Sequence, residues 1–319
     1  GALSAALALQ EDPALRKELA KLKADHGFRI TGHRVDADSA TPRICITFSE
    51  PLARLASNLA DYVKVPDGQG LAVEAEERQV CVDGVSHGGR YAIQVRRGVP
   101  AATGETLDKA VDLDIRVGNR TPAARFLGRA YVLPKGGDAA IPVVSVNADR
   151  LAARVYRIGD RSIAQALGDG PFLKSLDDYQ SEQIAGQSGE QVWSGIVEVS
   201  VDIQAQLNRE VTTAVPVGTL VPDLKPGVYA LTVGPARTLT PTQTPDQSDD
   251  CEGDCGEPTA TQWFVVSDLG LTALTGNDGL HTLVRSLSSA EPLGKVRLRL
   301  VARNNDILGT SETDSAGYA

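Results

Sequence analysis

Short apolar runs separated by turn sequences recur between Phe28 and Thr121. The separators at residues 66–70, 83–84 and 87–89 are rich in Gly, Pro and Asp, which favour tight turns. No helical period lies between them, and this spacing is typical of a β-sandwich. The pattern predicts seven strands, at residues 29–35, 43–48, 63–65, 71–75, 79–82, 90–95 and 111–117.

The residues before this region follow a different pattern. Leu15, Leu19 and Leu22 recur at helical spacing with charged residues between them, which predicts one amphipathic helix. We therefore divide the start of the chain into a helix and linker at 1–26 and a β-sandwich domain at 27–121. The short apolar stretch at the start fits either a mature N-terminus after signal removal or an engineered start.

A second sandwich domain is predicted at residues 122–267. Residues 160–191 interrupt its strands, and 162–167 and 171–176 suggest short helices within a long insertion. Residues 238–259 are rich in Thr, Pro, Gln, Ser and Asp, a composition that predicts a flexible acidic loop. The predicted strands are 130–134, 140–147, 150–158, 195–201, 211–216, 227–233 and 262–266.

The remaining residues, 268–319, predict the start of a further, truncated sandwich domain. Strands are expected at 269–275, 281–286, 295–302 and 307–309, too few to close two sheets. The predicted fold class is therefore all-β: tandem immunoglobulin-like or fibronectin-like antiparallel β-sandwich domains with a short N-terminal helix. We expect this chain to be the N-terminal part of a longer protein.

Composition and charge argue against two classes of function, nucleic-acid binding and membrane spanning by a helix. The formal net charge is −9, with Lys and Arg scattered along the chain, which argues against a nucleic-acid partner. No apolar run approaches the roughly 20 residues that a membrane-spanning helix needs. Aromatic residues make up 4% of the chain, so the cores are expected to consist mainly of aliphatic side chains.

The four cysteines form two candidate pairs. Cys45 and Cys81 lie in predicted strands 36 residues apart, and we favour a disulfide between them over two buried free thiols. Cys251 and Cys255 lie among carboxylates in the acidic loop, where a small-loop disulfide is favoured over a metal site or a plain solvated loop. No second Cys or His pair completes a tetrahedral metal site, so no metal and no cofactor are predicted.

Catalytic signatures are missing from the sequence. There is no His-Glu-x-x-His motif, no Gly-x-Ser-x-Gly elbow and no phosphate-binding loop. Asp177 and Asp178 could imitate paired carboxylates of a glycan-acting module, but a solvated insertion explains them more simply. Trp193 and Trp263 are interpreted as core or sheet-face residues, with carbohydrate stacking an alternative for Trp193. The four histidines, none of which is paired at i, i+4, are His26, His33, His87 and His281. We predict that the chain is not an enzyme.

Several segments resemble the bacterial alpha-2-macroglobulin-like family in their order and spacing. They are residues 128–134, 142–147, 260–272, 302–310 and 313–317. The resemblance implies macroglobulin domains and a periplasmic protein that captures proteases. A membrane anchor, where such a protein has one, would lie in a region outside this chain. The family's thioester is built on Cys-x-Glu-Gln, whereas residues 188–191 read Ser-Gly-Glu-Gln. No bait region or reactive thioester is therefore expected here.

Two functional hypotheses follow. In the first, the chain is the N-terminal scaffold of a protease trap in the cell envelope, and its partners are target proteases and other envelope proteins. The alternative is an adhesion or envelope-scaffold protein that binds other proteins through tandem sandwiches.

Overall fold

The computed structural model describes residues 12–53, 59–66, 68, 70–128, 130–133, 139–168, 172–199, 205–221, 223–236, 259–302, 304 and 306–319. The chain forms two compact units, which meet in sequence between Thr121 and Pro122. Each unit is described separately below.

The described residues of unit 1 form one α-helix, α1 (Pro13–His26), one 3-10 helix (Leu59–Tyr62) and a seven-stranded sandwich. The larger sheet has the strand order β1-β2-β5-β4 and the smaller one β3-β6-β7, with every pair antiparallel. The predicted seven-stranded sandwich is confirmed. The strands are β1 (Ile30–Asp36), β2 (Arg43–Phe48), β3 (Val63–Lys64), β4 (Ala72–Ala75), β5 (Gln79–Asp83), β6 (Arg90–Val95) and β7 (Val111–Arg116).

The two sheets of unit 1 share one aliphatic core. Ile44 and Ile46 of β2 and Ile93 of β6 are almost fully buried in it. Phe28 stacks on Phe48 with ring centroids 5.3 Å apart, which adds an aromatic contact just before the first strand. Strand β6 alternates exposed and buried positions toward its end, as expected for a sheet with one face on a core and one in water.

Unit 2 begins with a second sandwich. A three-stranded sheet has the order β13-β10-β8, and a five-stranded sheet has the order β12-β11-β14-β15-β9. The strands are β8 (Ala123–Phe126), β9 (Ala130–Leu133), β10 (Ile141–Val146), β11 (Arg150–Ile158), β12 (Gly189–Glu198), β13 (Glu210–Val215), β14 (Gly227–Pro235) and β15 (Ala260–Val266).

Three features of unit 2 differ from the sequence prediction. Strand β9 pairs with β15 in parallel, whereas every pair was predicted antiparallel. Parallel neighbours need a long connection, and here the rest of the sandwich separates the two strands in sequence. Strand β8 was not predicted, and β12 begins at Gly189 rather than at residue 195.

The centre of the five-stranded sheet of unit 2 is buried on both faces, whereas its edge strands β12 and β9 carry exposed residues. One face meets the three-stranded sheet across a core that includes Leu151, Val155 and Phe264. The other face carries a second cluster that includes Tyr156, Ala230 and Trp263. Seven consecutive residues of the central strand β14 are buried, the continuous apolar pattern expected of a strand covered from both sides.

Residues 268–319 add two antiparallel hairpins to unit 2. They consist of β16 (Leu269–Gly276) with β17 (Gly279–Ser286) and β18 (Arg297–Val301) with β19 (Ile307–Glu312). Their strands lie close to the predicted positions. Many of their aliphatic side chains are exposed, including Leu271 at 58% and Leu308 at 66%, so these hairpins cover little apolar surface in the described part of the chain.

Candidate functional site

The insertion between β11 and β12 covers the second face of the five-stranded sheet. It contains helix α2 (Ile163–Gly168), helix α3 (Asp178–Gln183) and a π-helical turn (Ile184–Ser188). One or two short helices were predicted from 162–167 and 171–176; α2 agrees with the first stretch, whereas residues 172–174 form a turn and α3 begins later, at Asp178.

Trp263 of β15 holds the insertion against the sheet. Its side chain is 1% exposed, and its indole Nε1 donates a hydrogen bond to the carbonyl oxygen of Lys174 at 2.9 Å. The ring of Phe172 meets it edge-on, with centroids 5.3 Å apart. The amide of Leu176 donates to Thr261 Oγ1 at 2.9 Å. The sequence interpretation of Trp263 as a core residue agrees with this position.

Asp177 caps helix α3. Its Oδ1 accepts a hydrogen bond from the amide of Gln180 at 2.6 Å, and the amide of Asp177 donates to Gln180 Oε1 at 3.2 Å. These two bonds form a capping box, which satisfies backbone groups that the first helical turn leaves free. Asp178 instead lies 3.9 Å from Arg154 Nη1. The two carboxylates therefore have separate structural partners.

A polar groove of about 550 Å³ lies between α2 and the segment formed by α3 and the π-helical turn. Ile158, Ala166 and Ile184 are buried at its base. Its polar lining includes Gln165, Gln180, Gln183, Gln187, Ser162 and Ser188. The groove contains one charged side chain among its lining residues, that of Lys174.

The thioester-like tetrapeptide at 188–191 does not form a reactive pair. Ser188 ends the π-helical turn and lines the polar groove, whereas Gln191 lies in β12 opposite Tyr156 and lines a neighbouring depression. Gly189 packs so closely on β11 that an added Cβ would overlap the carbonyl oxygen of Arg157. The tetrapeptide is thus the start of a strand whose glycine is required by backbone packing.

Two further aromatic residues have structural contacts. The hydroxyl of Tyr229 donates to the carbonyl oxygen of Lys225 at 2.7 Å, its ring stacks on Phe264, and burial raises the pKa of its phenol. Trp193, considered above for carbohydrate stacking, is half-buried and packs against the inner core of the sandwich.

Cys45 and Cys81 are joined by a disulfide with an S–S distance of 2.07 Å. They are direct partners in the register of β2 and β5, and each alternates with residues that face the core. The disulfide therefore lies on the outer face of the four-stranded sheet. Arg34 and Glu74 are the next residues in the same cross-strand row. Cys251 and Cys255 lie outside the described residues.

The three histidines with described side chains lie in different elements and have different neighbours. His87 Nε2 lies 2.9 Å from the carbonyl oxygen of Ala37, and His33 is exposed in β1. His281 lies between Tyr318 and Asp278, with its Nε2 2.9 Å from the Asp278 carboxylate. The side chain of His26 lies outside the described part. Across the described residues, no group of three His, Cys, Asp or Glu side chains could hold a metal ion.

Among the described residues, none of the helices combines the length and the apolar character needed to cross a bilayer.

Two family models match unit 2. Residues 125–237 match the bacterial alpha-2 macroglobulin MG2 domain, and residues 266–319 match the bacterial alpha-2-macroglobulin MG3 domain. The chain belongs to the bacterial alpha-2-macroglobulin-like family. The MG2 match contains the insertion and its groove, and the MG3 match contains the two exposed hairpins. The predicted family is therefore confirmed.

Relatives of known name agree with this assignment. Alpha-2-macroglobulin of Xylella fastidiosa is 22% identical over 322 residues, which cover 97% of this chain and 18% of the relative. This macroglobulin-like chain thus spans about a fifth of the length of the curated relatives that it matches.

Two solved structures show the same fold. A mutant of Salmonella alpha-2-macroglobulin superposes with a TM-score of 0.58 at 16% identity, covering 93% of this chain and 17% of that one. Salmonella alpha-2-macroglobulin reacted with methylamine gives a TM-score of 0.58 at 17% identity, with the same coverage.

Proposed function

We propose that this chain is the N-terminal scaffold portion of a bacterial alpha-2-macroglobulin that traps proteases in the periplasm. The observation that carries the proposal is the succession of MG2 and MG3 matches along one chain, at residues 125–237 and 266–319. Relatives that are called alpha-2-macroglobulin match along 97% of the chain and support the same assignment.

In this proposal the chain acts without catalysis of its own. The candidate carboxylates support this role, because Asp177 caps a helix and Asp178 lies near Arg154. The Ser-Gly-Glu-Gln segment also supports it, because a serine replaces the cysteine that a thioester needs and Gly189–Gln191 are paired in a sheet. Target proteases would meet the longer protein at a bait segment outside residues 1–319. Other envelope proteins are further proposed partners.

The test is limited proteolysis of the longer protein with several proteases of different specificity, followed by small-angle scattering. We expect each protease to cleave first within one segment outside residues 1–319, and the radius of gyration to fall after cleavage. A chain of residues 1–319 treated in parallel is the control and should show no compaction.

Two outcomes would contradict the proposal. Cleavage scattered along the longer protein with no compaction would favour tandem sandwiches that serve as an adhesion or envelope scaffold. First cleavage inside residues 1–319, followed by compaction, would place the bait in the part assigned here as scaffold.

A further inference from the structure

The polar groove of the insertion contains unused hydrogen-bonding groups. In the described part of the chain, the side chains of Gln165 and Gln187 have no hydrogen-bond partner. Gln180 uses its carbonyl in the capping box, which leaves its NH₂ group available. Gln183 donates to the hydroxyl of Tyr179 at 3.1 Å, which leaves its carbonyl available. Donors and acceptors are therefore both present along one groove.

The backbone arranges these amides in a row. Gln180, Gln183 and Gln187 are three and four residues apart, a spacing that places helical side chains on one face. Gln187 belongs to the π-helical turn, and such turns are rare and frequently occur at functional sites. Gln165 lies on α2 and contributes an amide to the same groove.

The chemistry of the lining selects among ligand classes. One lysine is too little positive charge for a polyphosphate or nucleic acid. Most small-molecule pockets are lined mainly by apolar and aromatic side chains, whereas the described lining residues here are mostly polar and none is aromatic. A side-chain amide carries an N–H donor and a carbonyl acceptor, the same two groups that a peptide bond offers.

We propose that this groove binds an extended polypeptide segment through its main chain. The glutamine amides would pair with successive N–H and C=O groups of the segment, and the small apolar base formed by Ile158, Ala166 and Ile184 would accept small side chains. Such recognition depends on an extended backbone more than on sequence. It is a binding function additional to the scaffold role and does not depend on protease trapping.

The experiment uses the chain selectively labelled with ¹⁵N-glutamine and a capped hexapeptide of alternating Ser and Ala. A matched depsipeptide, with esters in place of alternate amides, removes N–H donors but keeps the side chains. We expect saturable shifts of the NH₂ signals of the four groove glutamines with the peptide: Gln165, Gln180, Gln183 and Gln187. Because a hydrogen bond contributes about two- to tenfold in affinity, the depsipeptide should bind about tenfold more weakly.

Variants locate the site. Gln165→Leu and Gln187→Leu replace exposed side chains, so the fold should be retained, and each should weaken peptide binding about two- to tenfold. Gln206→Leu, at a half-buried turn position outside the groove, is the control and should leave the affinity unchanged. Equal binding of peptide and depsipeptide, or no saturable shift at millimolar peptide, would overturn the proposal. So would shifts of these signals by N-acetylchitotriose but not by the peptide, which would instead indicate a saccharide site.

Discussion

The two sandwiches differ in what covers the outer face of the larger sheet. In unit 1 the four-stranded sheet carries a row of Arg34, Cys45, Cys81 and Glu74 on the face away from the core. In unit 2 the five-stranded sheet carries a second apolar cluster beneath the insertion. On the outer face of the unit 1 sheet, a disulfide joins strands β2 and β5. On the outer face of the unit 2 sheet, the insertion covers an apolar cluster.

This difference is visible in the strands themselves. Strands β2 and β5 of unit 1 have three consecutive buried positions, centred on Cys45 and Cys81, whereas β14 of unit 2 has seven. Burial of the second face therefore removes the alternation that normally marks a sandwich strand. It also creates the groove, because α2, α3 and the π-helical turn are held side by side on one sheet.

The largest expected effect comes from removing the anchor of the insertion. Trp263→Ala deletes a fully buried indole and its hydrogen bond to Lys174, so we expect the free energy of unfolding of unit 2 to fall by about 3–5 kcal/mol. Urea unfolding followed by circular dichroism measures the loss, and hydrogen exchange should show faster exchange at Ala166.

The half-buried Trp193 is the control for that experiment. Trp193→Ala should cost less and should leave exchange in the insertion nearly unchanged, because its ring packs against the inner core. Equal losses in the two variants would contradict the role assigned to Trp263.

Removal of the disulfide should affect unit 1 alone. Cys45→Ala combined with Cys81→Ala opens a loop with a sequence separation of 36 residues, and we expect unit 1 to lose about 2–4 kcal/mol of its free energy of unfolding. A reducing agent should give a similar loss in the unaltered protein and no further loss of unit 1 stability in the variant. An unchanged unit 1 transition would contradict the stabilising role of the bond.

The helix cap should give a smaller and local effect. Asp177→Ala removes the side-chain acceptor of the capping box, so helix α3 should lose about 0.5–2 kcal/mol, measured by hydrogen exchange at Gln180 and Ser181. Asp178→Ala is the neighbouring control and should cost less, because it removes only an exposed carboxylate 3.9 Å from Arg154. A larger loss in the control would contradict the capping role.

The smallest expected effect is the pH dependence that arises from the Asp268 carboxyl. Hydrogen bonds from Ser286 and Ser288 hold the pKa of the Asp268 carboxyl below its ordinary value. A carboxyl whose folded pKa is depressed stabilises the fold above its unfolded pKa of about 3.9, and this stabilisation disappears as the pH falls through the folded pKa. The Ser288 amide signal should therefore shift only at a pH below about 4.

The variant Ser286→Ala tests whether the Ser286 hydroxyl lowers the pKa of Asp268. The variant removes the side-chain donor that lowers the pKa of Asp268 most, so the midpoint of the Ser288 signal should move to higher pH. An unchanged midpoint would show that this hydrogen bond does not set the pKa.

The sequence predicted the sandwich strands well where apolar runs end at turn residues, as in β2 and β5. It did not predict β8, because Ala123 and Ala124 give a weak strand signal. It also placed β12 too late, since Glu190 and Gln191 lie exposed in an edge strand and look polar. Parallel pairing of β9 with β15 depends on contacts that are distant in sequence.

One wall of the groove could have been predicted from the sequence. Asp177 and Gln180 form a capping-box pattern, which marks the start of α3 and places Gln183 and Gln187 on the same face as Gln180. The opposite wall could not have been predicted in this way, because the packing on Trp263 brings α2 next to α3.

The most direct test of the scaffold assignment compares protease activity in the presence of the longer protein and of residues 1–319 alone. Trypsin is incubated with each, and cleavage of a large protein substrate and of a small chromogenic peptide is measured. The account predicts that the longer protein protects the large substrate but not the small one, and that residues 1–319 protect neither. Protection of the large substrate by residues 1–319 alone would contradict the scaffold role.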